Sequence, residues 1–523
     1  MHTEPIVMPF DSFATLPDLV RLHARDTGAH VALIHGEVRL DYRALDARID
    51  RMAAGLQRDG IARGDVVAIV AATSIDHVAM FLAILRAGGT VAPIAASSSP
   101  DALAAVIADS GAKLVFVDKA TGDRFADALS GATVIALGED APIGTPLSAW
   151  LPEEDAEPTP VPLAPDDIFN IIYSSGTTGS PKGIVQDHGM RWQHVLRGRM
   201  AGYTAEAIAI ISTPLCSNTT LVSVVPTLAN GGTLVLMEKF DARRFLELAE
   251  RHRVTHAMLV PVQYRRLMND PEFDRFDLSA FRMKTCTSAP FAADLKAEIL
   301  RRWPGGLIEI YGMTEGGGTA TLAAHLHPHK LDTVGVPVEG HVMRVIDEDG
   351  QPLPPGSVGE IVGHSPLMMR HYHNRPAQTR DAEWFDEQGR RYIRTGDIGR
   401  FDEDGFLTLL DRRKDVVISG GFNVYPSDIE VAMREHPAVE DVAVVGMPSS
   451  EWGETPVAFI VRRARDETPA AEIRNWLNQR VGKTQRISDI IEIDALPRSE
   501  IGKVLKRELR DMALDSDGHR RRD

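Results

Sequence analysis

Groups suited to phosphate binding are concentrated in one run, Tyr173-Ser-Ser-Gly-Thr-Thr-Gly-Ser-Pro-Lys182-Gly183, directly after the apolar, strand-like stretch 168–173. The run supplies hydroxyls, one cation, and glycines that let the backbone approach a ligand closely; these residues are Ser174, Ser175, Gly176, Thr177, Thr178, Gly179, Lys182 and Gly183. Such a loop is suited to holding phosphate oxygens. The spacing of its glycines and lysine differs from GxxxxGK[ST], so the run predicts a phosphate loop that is not a Walker A loop.

The bulk composition sets the class of protein around this loop. The chain has 523 residues, of which 44% are hydrophobic and 25% charged, as in ordinary soluble globular proteins. At roughly 100–200 residues per domain, we expect two to four structural units. The formal net charge of −16 argues against a broad basic face for nucleic acid. An anionic substrate would therefore need a locally positive site.

Cysteine usage and apolar runs exclude several other classes. The two cysteines, Cys216 and Cys286, are too few for a disulfide framework and too far apart for a CxxC metal site. No uninterrupted apolar run approaches the roughly 20 residues that a membrane span needs, and the first residues lack a secretory signal pattern. The expected location is the cytoplasm.

Hydrophobic periodicity divides the chain into regions with different predicted secondary structure. Short apolar strands alternate with helical segments through the first two thirds, which predicts two layered α/β subdomains with mostly parallel sheets. After about Val334, short strands separated by Gly, Pro and Asp predict a β-rich subdomain. A charged run at 411–415 precedes a compact α+β unit. We therefore predict a large N-terminal domain over residues 1–413 and a small C-terminal domain over residues 414–523.

Five motifs, in order along nearly the whole chain, resemble those of the adenylate-forming superfamily. This superfamily contains acyl-CoA synthetases, peptide-synthetase adenylation domains and luciferases. The motifs are the phosphate loop, Tyr311-Gly-Met-Thr-Glu315, Thr395-Gly-Asp397, the hinge run Asp411–Asp415 with the following Gly420–Glu430 loop, and Pro497-Arg-Ser-Glu-Ile-Gly-Lys503.

The resemblance implies a role for each motif residue. Tyr311, with Gly312, presents a flat face to adenine, and the Ser288–Ala289–Pro290 segment also belongs to the nucleotide site. Thr314 hydrogen-bonds a phosphate oxygen, and Glu315 lies near Mg²⁺, which prefers oxygen ligands. Asp397 accepts hydrogen bonds from the ribose hydroxyls, and Arg412 supports ribose or phosphate. Lys503 stabilises charge on the reacting carboxylate and α-phosphate.

The resemblance also implies a two-step reaction with a mobile C-terminal domain. A carboxylate attacks the α-phosphorus of ATP and releases pyrophosphate, and a thiolate then attacks the acyl-adenylate and releases AMP. The small domain rotates about Lys414 between the steps, so that Lys503 serves the first step and the face near Gly420 and Gly421 serves the second. Two further residues fall where relatives contact coenzyme A, namely Trp452 and Arg486. Core packing for Trp452 and an ordinary surface charge for Arg486 are the alternatives.

By position, an acyl pocket draws on Trp192, Cys216, Ser217 and Ile310, together with the segment Cys286–Ala289. Many relatives carry His where Ser217 stands and Gly where Ile310 stands. The first departure removes a ring that could line the acid, and the second is expected to shorten the pocket. For Trp192, ordinary core packing is favoured over a role in the pocket.

The function expected from these features is an AMP-forming ligase that joins a small to medium-chain or aromatic carboxylate to coenzyme A, using ATP and Mg²⁺. A stand-alone enzyme that loads a carrier-protein thiol is the alternative. A non-catalytic adenylate-binding module is disfavoured because Lys182, Glu315 and Lys503 are all present. The sequence leaves the acid and the oligomeric state open, although a homodimer would be compatible with it.

Overall fold

The computed structural model describes residues 12–129, 131–138, 143–174, 182–419, 422–449, 452–499 and 502–520. The chain divides into two compact units. The larger contains Met1–Leu331, Val338–Val342 and His364–Ile393, and the smaller contains Asp332–Pro337, Met343–Gly363 and Arg394–Asp523. No helix in the described ranges combines the length and apolar character required to cross a membrane.

The first half of the larger unit alternates helices and strands as the periodicity predicts. Its elements are α1 (Leu16–Asp26), β1 (Val31–His35), β2 (Val38–Asp41), α2 (Tyr42–Arg58), β3 (Val66–Val70), α3 (Ile75–Arg86), β4 (Thr90–Pro93), α4 (Pro100–Ser110), β5 (Leu114–Val117), α5 (Lys119–Phe125), β6 (Val134–Ala136), β7 (Thr145–Pro146) and α6 (Leu147–Trp150).

The next stretch carries the predicted nucleotide and acyl residues. Its elements are β8 (Ile168–Ser174), β9 (Lys182–Asp187), α7 (His188–Met200), β10 (Ile208–Ile211), α8 (Asn218–Ala229), β11 (Thr233–Leu236), α9 (Ala242–Arg251), β12 (His256–Leu259), α10 (Pro261–Met268), a 3₁₀ turn (Phe273–Arg275), β13 (Met283–Cys286), α11 (Ala293–Arg302), β14 (Gly306–Gly312) and β15 (Thr319–Ala323).

Shorter strands dominate the remainder of the chain. The elements are β16 (Val336–Pro337), β17 (Val342–Ile346), β18 (Gly359–His364), β19 (His371–Tyr372), α12 (Pro376–Asp381), β20 (Glu383–Phe385), β21 (Arg391–Phe401), β22 (Leu407–Arg412), β23 (Val417–Ser419), β24 (Phe422–Val424), α13 (Pro426–Arg434), β25 (Val439–Ser449), β26 (Gly453–Arg462), α14 (Ala470–Asn478), a 3₁₀ turn (Lys483–Gln485), β27 (Asp489–Glu492) and α15 (Lys506–Arg520).

Two sheets organise the larger unit. One has the order β19-β9-β8-β4-β3-β5-β6-β7, and the other contains the run β15-β14-β13-β12-β10-β11-β1-β2. The central strands of both sheets pair in parallel, whereas β8 and β9 form an antiparallel hairpin. Parallel strands joined through helices bury both faces of a sheet, so the predicted pair of α/β layers is confirmed.

The smaller unit combines two sets of strands. In its first part β17, β18 and β21 lie side by side and β22 pairs with β21, in agreement with the predicted β-rich region. In its last part the sheet order is β24-β23-β26-β25, with β27 beside β26. Helices α13 and α14 cover this sheet through the apolar residues Ile429, Met433, Ile473 and Leu477. The predicted α+β character of the C-terminal region is confirmed, and the boundary at 413/414 stays a prediction.

Helices α7 and α8 pack closely, and this closeness matters for the site. The Asp187 carboxylate caps α7 by accepting from the Met190 amide at 2.8 Å, and the Ser217 hydroxyl caps α8 by accepting from the Thr219 amide at 3.2 Å. A Cβ placed on Gly198 of α7 would stand only 2.1 Å from the Cβ of Pro226 of α8. Glycine at this contact therefore lets the two helices approach.

Candidate active site

One edge of the second sheet gathers segments that lie far apart in the chain. Strands β10, β12, β13 and β14 pair in parallel, so their carboxyl ends meet at the same edge. The segments that leave this edge contain Cys216 and Ser217 after β10, Ser288 after β13 and Thr314 after β14. Ligands of open parallel sheets bind outside the carboxyl ends of the strands, and this edge is therefore the candidate site.

A direct hydrogen bond links two of these segments. The hydroxyls of Thr219 and Ser288 lie 2.7 Å apart. Ser288 has a φ of +82°, a left-handed conformation that is uncommon for a residue with a side chain. Ala289, which follows it, is half-buried, and Pro290 is exposed. Strained backbone of this kind is concentrated at functional sites, and the nucleotide-binding role of Ser288–Pro290 stays a prediction.

The proposed phosphate loop begins and ends on one hairpin. Ser174 closes β8, Lys182 opens β9, and the two residues are paired across the ladder. The ends of the loop are thus held together by the sheet. Residues 175–181 lie outside the described residues, and with them the predictions for Ser175, Gly176, Thr177, Thr178 and Gly179.

Glu315 and Lys182 meet at a tyrosine that the sequence motifs did not indicate. The Tyr372 hydroxyl donates to Glu315 Oε1 at 2.7 Å, and Lys182 Nζ lies 5.1 Å from the centre of the Tyr372 ring. Burial first, and then the Glu315 carboxylate, raise the pKa of Tyr372, so its hydroxyl remains a donor. Tyr372 lies on the short strand β19, which pairs with β9. No local sequence pattern predicts this pairing, so no sequence motif indicates Tyr372 as a site residue.

Glu315 can contribute to a magnesium site, although it does not form one alone. The described residues contain no cluster of three or more His, Cys, Asp or Glu side chains arranged to hold a metal ion. Mg²⁺ commonly takes one or two carboxylates together with substrate phosphates and water. A single carboxylate, oriented by Tyr372, whose ring Lys182 also approaches, fits that pattern. The backbone of Glu315 is also held, because its carbonyl accepts from the Met369 amide at 2.8 Å.

Strand β14 presents different chemistry on its two faces. Glu309 is buried and forms an ion pair with Lys296, which also donates to the Leu331 carbonyl at 2.7 Å. Burial raises the pKa of Glu309 to about 7. Ile310 and Tyr311 follow it and are half-buried, and Gly312 at the strand end is exposed. Because strand side chains alternate between faces, Ile310 lies on the face opposite this buried pair.

The other predicted acyl-pocket residues have mixed surroundings. Cys216 is half-buried, whereas Cys286 is fully buried and burial raises the pKa of its thiol. The hydroxyl of Ser217 is engaged as the cap of α8. Trp192 packs against the main hydrophobic core, and its ring centre lies 6.1 Å from that of Phe13 in an edge-on arrangement. These contacts give Trp192 a packing role.

The smaller unit brings Asp397, Arg412 and Lys503 together. Arg412 Nε lies 2.9 Å from Asp397 Oδ1, and the two residues face each other across β21 and β22. Lys503 lies close enough to be influenced by the charges of Asp397, Arg412 and Lys414. Its pKa is lowered to about 8, first by burial and then by the positive charge of Arg412, while Asp397 acts in the opposite direction.

The smaller unit also contains the residues proposed for the hinge and for the thiol-acceptor face. Lys414 lies in the exposed turn between β22 and β23, and the neighbouring Asp415 accepts from Arg510 of α15 at 2.9 Å. Trp452 is 47% exposed, and Arg486 is exposed after the 3₁₀ turn. Gly420 and Gly421 lie outside the described residues. The exposed Trp452 indole is available to a ligand but is not assigned to one by any contact.

The chain matches two adjoining family descriptions. Residues 20–373 match the AMP-binding enzyme family, and residues 428–503 match the C-terminal domain of AMP-binding enzymes. The two matches are in the order expected from the sequence motifs, and together they span the larger part of both units.

Curated and solved proteins of similar length resemble the whole chain. A feruloyl-CoA synthase from Amycolatopsis sp is 32% identical, with 93% of this chain and 96% of that protein covered. A fatty acid–[acyl-carrier-protein] ligase, ScoC of Streptomyces coeruleorubidus, is 31% identical, with 95% and 96% covered. The ATP-bound crystal structure of MatB from Rhodopseudomonas palustris superposes with a TM-score of 0.86 at 30% identity, covering 95% of this chain and 99% of MatB. The chain therefore belongs to the family of AMP-binding enzymes, the adenylate-forming enzymes that its motifs resemble.

Proposed function

We propose that this protein is an AMP-forming carboxylate–CoA ligase. In the first step a carboxylate oxygen attacks the α-phosphorus of ATP, the bond to the β-phosphate oxygen breaks, and acyl-adenylate and pyrophosphate form. In the second step the thiolate of coenzyme A attacks the acyl carbon, and AMP leaves with the bonding electron pair. The observation that carries the proposal is the shared strand edge, where the residues assigned to nucleotide and to acid lie side by side.

The larger unit supplies the groups that hold ATP. Lys182 offers a cation to phosphate oxygens at one end of the phosphate loop, and Thr314 offers a hydroxyl from the opposite segment. Glu315, oriented by Tyr372, would hold Mg²⁺. When bound, the ion would neutralise phosphate charge and aid departure of pyrophosphate. Tyr311 and the Ser288–Pro290 segment frame the nucleotide.

The smaller unit supplies the group that acts on the reacting atoms. Lys503 donates to the carboxylate and to the α-phosphate as negative charge moves between them. Arg412 keeps Asp397 oriented toward the ribose through their ion pair. A half-buried ammonium interacts more strongly with a developing anion than an ammonium in bulk water. Lys414 is the pivot that would allow this unit to present the Trp452 and Arg486 face to coenzyme A.

The acid is a small to medium-chain or aromatic carboxylate. The half-buried Ile310 on the site face of β14 restricts the depth of the pocket, which favours a flat or short acyl group over a long chain. The named activity of the feruloyl-CoA synthase relative, which concerns an aromatic acid, supports this class.

A carrier-protein thiol is the second candidate acceptor. The observation in its favour is the resemblance to a fatty acid–[acyl-carrier-protein] ligase over nearly the full chain. The first step is the same for both acceptors, so only the second step distinguishes them.

Pyrophosphate release with a panel of carboxylic acids tests the proposal. We expect ATP- and Mg²⁺-dependent pyrophosphate release with short or aromatic acids, and AMP release that accelerates when coenzyme A is added. Acceleration by a carrier protein but not by coenzyme A would favour the second candidate. No pyrophosphate with any acid in the panel would contradict both.

Replacement of Lys503 should separate the two steps. Loss of one preorganised donor to a developing anion lowers the rate by about 10²–10³, so Lys503→Ala should abolish most adenylate formation from ATP. Transfer to coenzyme A from a supplied acyl-adenylate should largely persist, since this step uses the other face of the smaller unit. Both steps are measured on the purified variant, with a thermal melt as the folding control. Near wild-type adenylation would show that the assignment of Lys503 is wrong.

The pKa of Lys503 predicts a pH limit on adenylation. With a pKa of about 8, the side chain is protonated below that pH and loses its charge above it. Since kcat/KM reports groups of the free enzyme, kcat/KM for ATP in adenylation should fall as the pH rises through about 8. Lys503→Arg, which keeps its charge across this range, should lack this alkaline limb even if its overall rate is lower. The same limb in both proteins would assign the titration to another group.

Replacement of Ile310 should change the choice of acid. Ile310→Gly removes a branched side chain from the site face of β14 and should shift the kcat/KM ranking toward longer acids. Each methylene in an apolar pocket is worth about 1–3 kcal/mol, so the shift should be clear across a homologous series. Ile308→Val, a milder change on the same strand, serves as the control. An unaltered ranking in Ile310→Gly would place this residue outside the pocket.

A further inference from the structure

A buried arginine joins the two strands that flank the phosphate loop to the start of α8. Arg191 of α7 is 2% exposed. Its guanidinium donates to Asn170 Oδ1 of β8 at 2.8 Å, to Asn218 Oδ1 at the start of α8 at 2.9 Å, and to Gln186 Oε1 of β9. The Nδ1 atom of His194 lies 3.2 Å from the same guanidinium.

The acceptors of this guanidinium are neutral groups. They are amide oxygens and one imidazole, and burial lowers the pKa of His194 well below its usual value, so the ring stays uncharged. A hydrogen bond from a charged donor is about twice as strong as one between neutral groups. Arg191 therefore fixes the direction of the amides that surround it rather than forming an ordinary ion pair.

Gln186 links Arg191 and Asn170 to the segment that contains Thr314. It is fully buried, and its Oε1 accepts from both Arg191 and the Asn170 amide, the latter at 3.0 Å. With the oxygen occupied by two donors, the amide nitrogen must face the other way, and Nε2 donates to the backbone carbonyl of Thr314 at 2.7 Å. The backbone carbonyl of Thr314, in the segment assigned to phosphate, is thus held by an oriented side-chain amide.

We infer that Gln186, held by Arg191 and Asn170, is a positioning residue that sets Thr314 for adenylate formation. This inference rests on the proposed function. Gln186 touches no substrate itself. Its hydrogen bond holds the Thr314 carbonyl, and with it the Thr314 hydroxyl and the following Glu315, relative to the hairpin that carries the phosphate loop. A displacement of about 1 Å in such a segment can lower a rate by about 10²-fold.

The test compares two substitutions that make the same chemical change in different places. Gln186→Glu keeps an acceptor for Arg191 but replaces the donor to the Thr314 carbonyl with an oxygen that repels it. Asn230→Asp makes the matched change at the far end of α8, where the buried Asn230 amide donates to the Pro226 carbonyl at 2.8 Å. Both variants lose one buried donor to a backbone carbonyl, and only the first loses it at Thr314.

We expect Gln186→Glu to lower kcat for acid-dependent pyrophosphate release by about 10- to 100-fold, with a change in melting temperature no larger than that of Asn230→Asp. Asn230→Asp should keep the wild-type kcat. KM for the acid should change little in either variant, because neither substitution alters the pocket wall. A purely structural role would appear as a lower melting temperature with an unchanged kcat.

A second variant covers the case in which Gln186→Glu does not fold. Gln186→Met has nearly the same shape, is neutral, and leaves Asn170 and Asn218 as acceptors for Arg191, so it should fold and show the same loss of kcat. A wild-type kcat in a folded Gln186 variant, or an equal loss in Asn230→Asp, would overturn the inference while leaving the proposed ligase function intact. Wild-type protein that releases no pyrophosphate would instead overturn the proposed function.

Discussion

The site depends on the parallel pairing of β10, β12, β13 and β14, since this pairing brings their carboxyl ends to one edge. The segments that follow these strands carry Cys216 and Ser217, which are proposed for the acyl pocket, the strained Ser288 and the Thr314–Glu315 pair. More than 90 residues of chain separate Cys216 from Thr314. The parallel pairing of the strands brings the segments that carry them to the same edge of the sheet. Hydrogen bonds such as that between Thr219 and Ser288 then set the segments at fixed distances.

Polar groups in the interior do the finer positioning. A buried polar group costs free energy unless its hydrogen bonds are satisfied, and the side chains of Arg191, Gln186 and Asn170 satisfy one another across α7, β8 and β9. Tyr372 has a comparable role at Glu315, because its raised pKa keeps the hydroxyl protonated while it donates to the carboxylate. Buried polar networks whose hydrogen bonds are all satisfied rigidify the structure around them, so these contacts hold Thr314 and Glu315 in place.

The residues proposed to bind anionic substrates include cations, although the whole chain is acidic. The formal net charge is −16, yet the proposed residues include Lys182 in the larger unit and, separately, Arg412 and Lys503 in the smaller unit. Burial, and then the positive charge of Arg412, lower the pKa of Lys503, so the protonated form of this lysine is less favourable than in water. If ATP binds beside Lys503 as proposed, its negative charge would favour the protonated form of this lysine.

The sequence by itself determined the class of fold, the order of the motifs and the family, because periodicity and short motifs are local properties of the chain. The strand pattern at 168–173 and the motif residues Glu315, Asp397 and Lys503 needed no three-dimensional information. Only the tertiary structure decided that Tyr372 orients Glu315, that Arg191 and Gln186 support Thr314, and that Trp192 packs against Phe13. Strand pairing and helix packing bring these residues together, although they are distant in sequence. The free energy of each contact depends on how deeply its groups are buried, and no local sequence pattern specifies that burial.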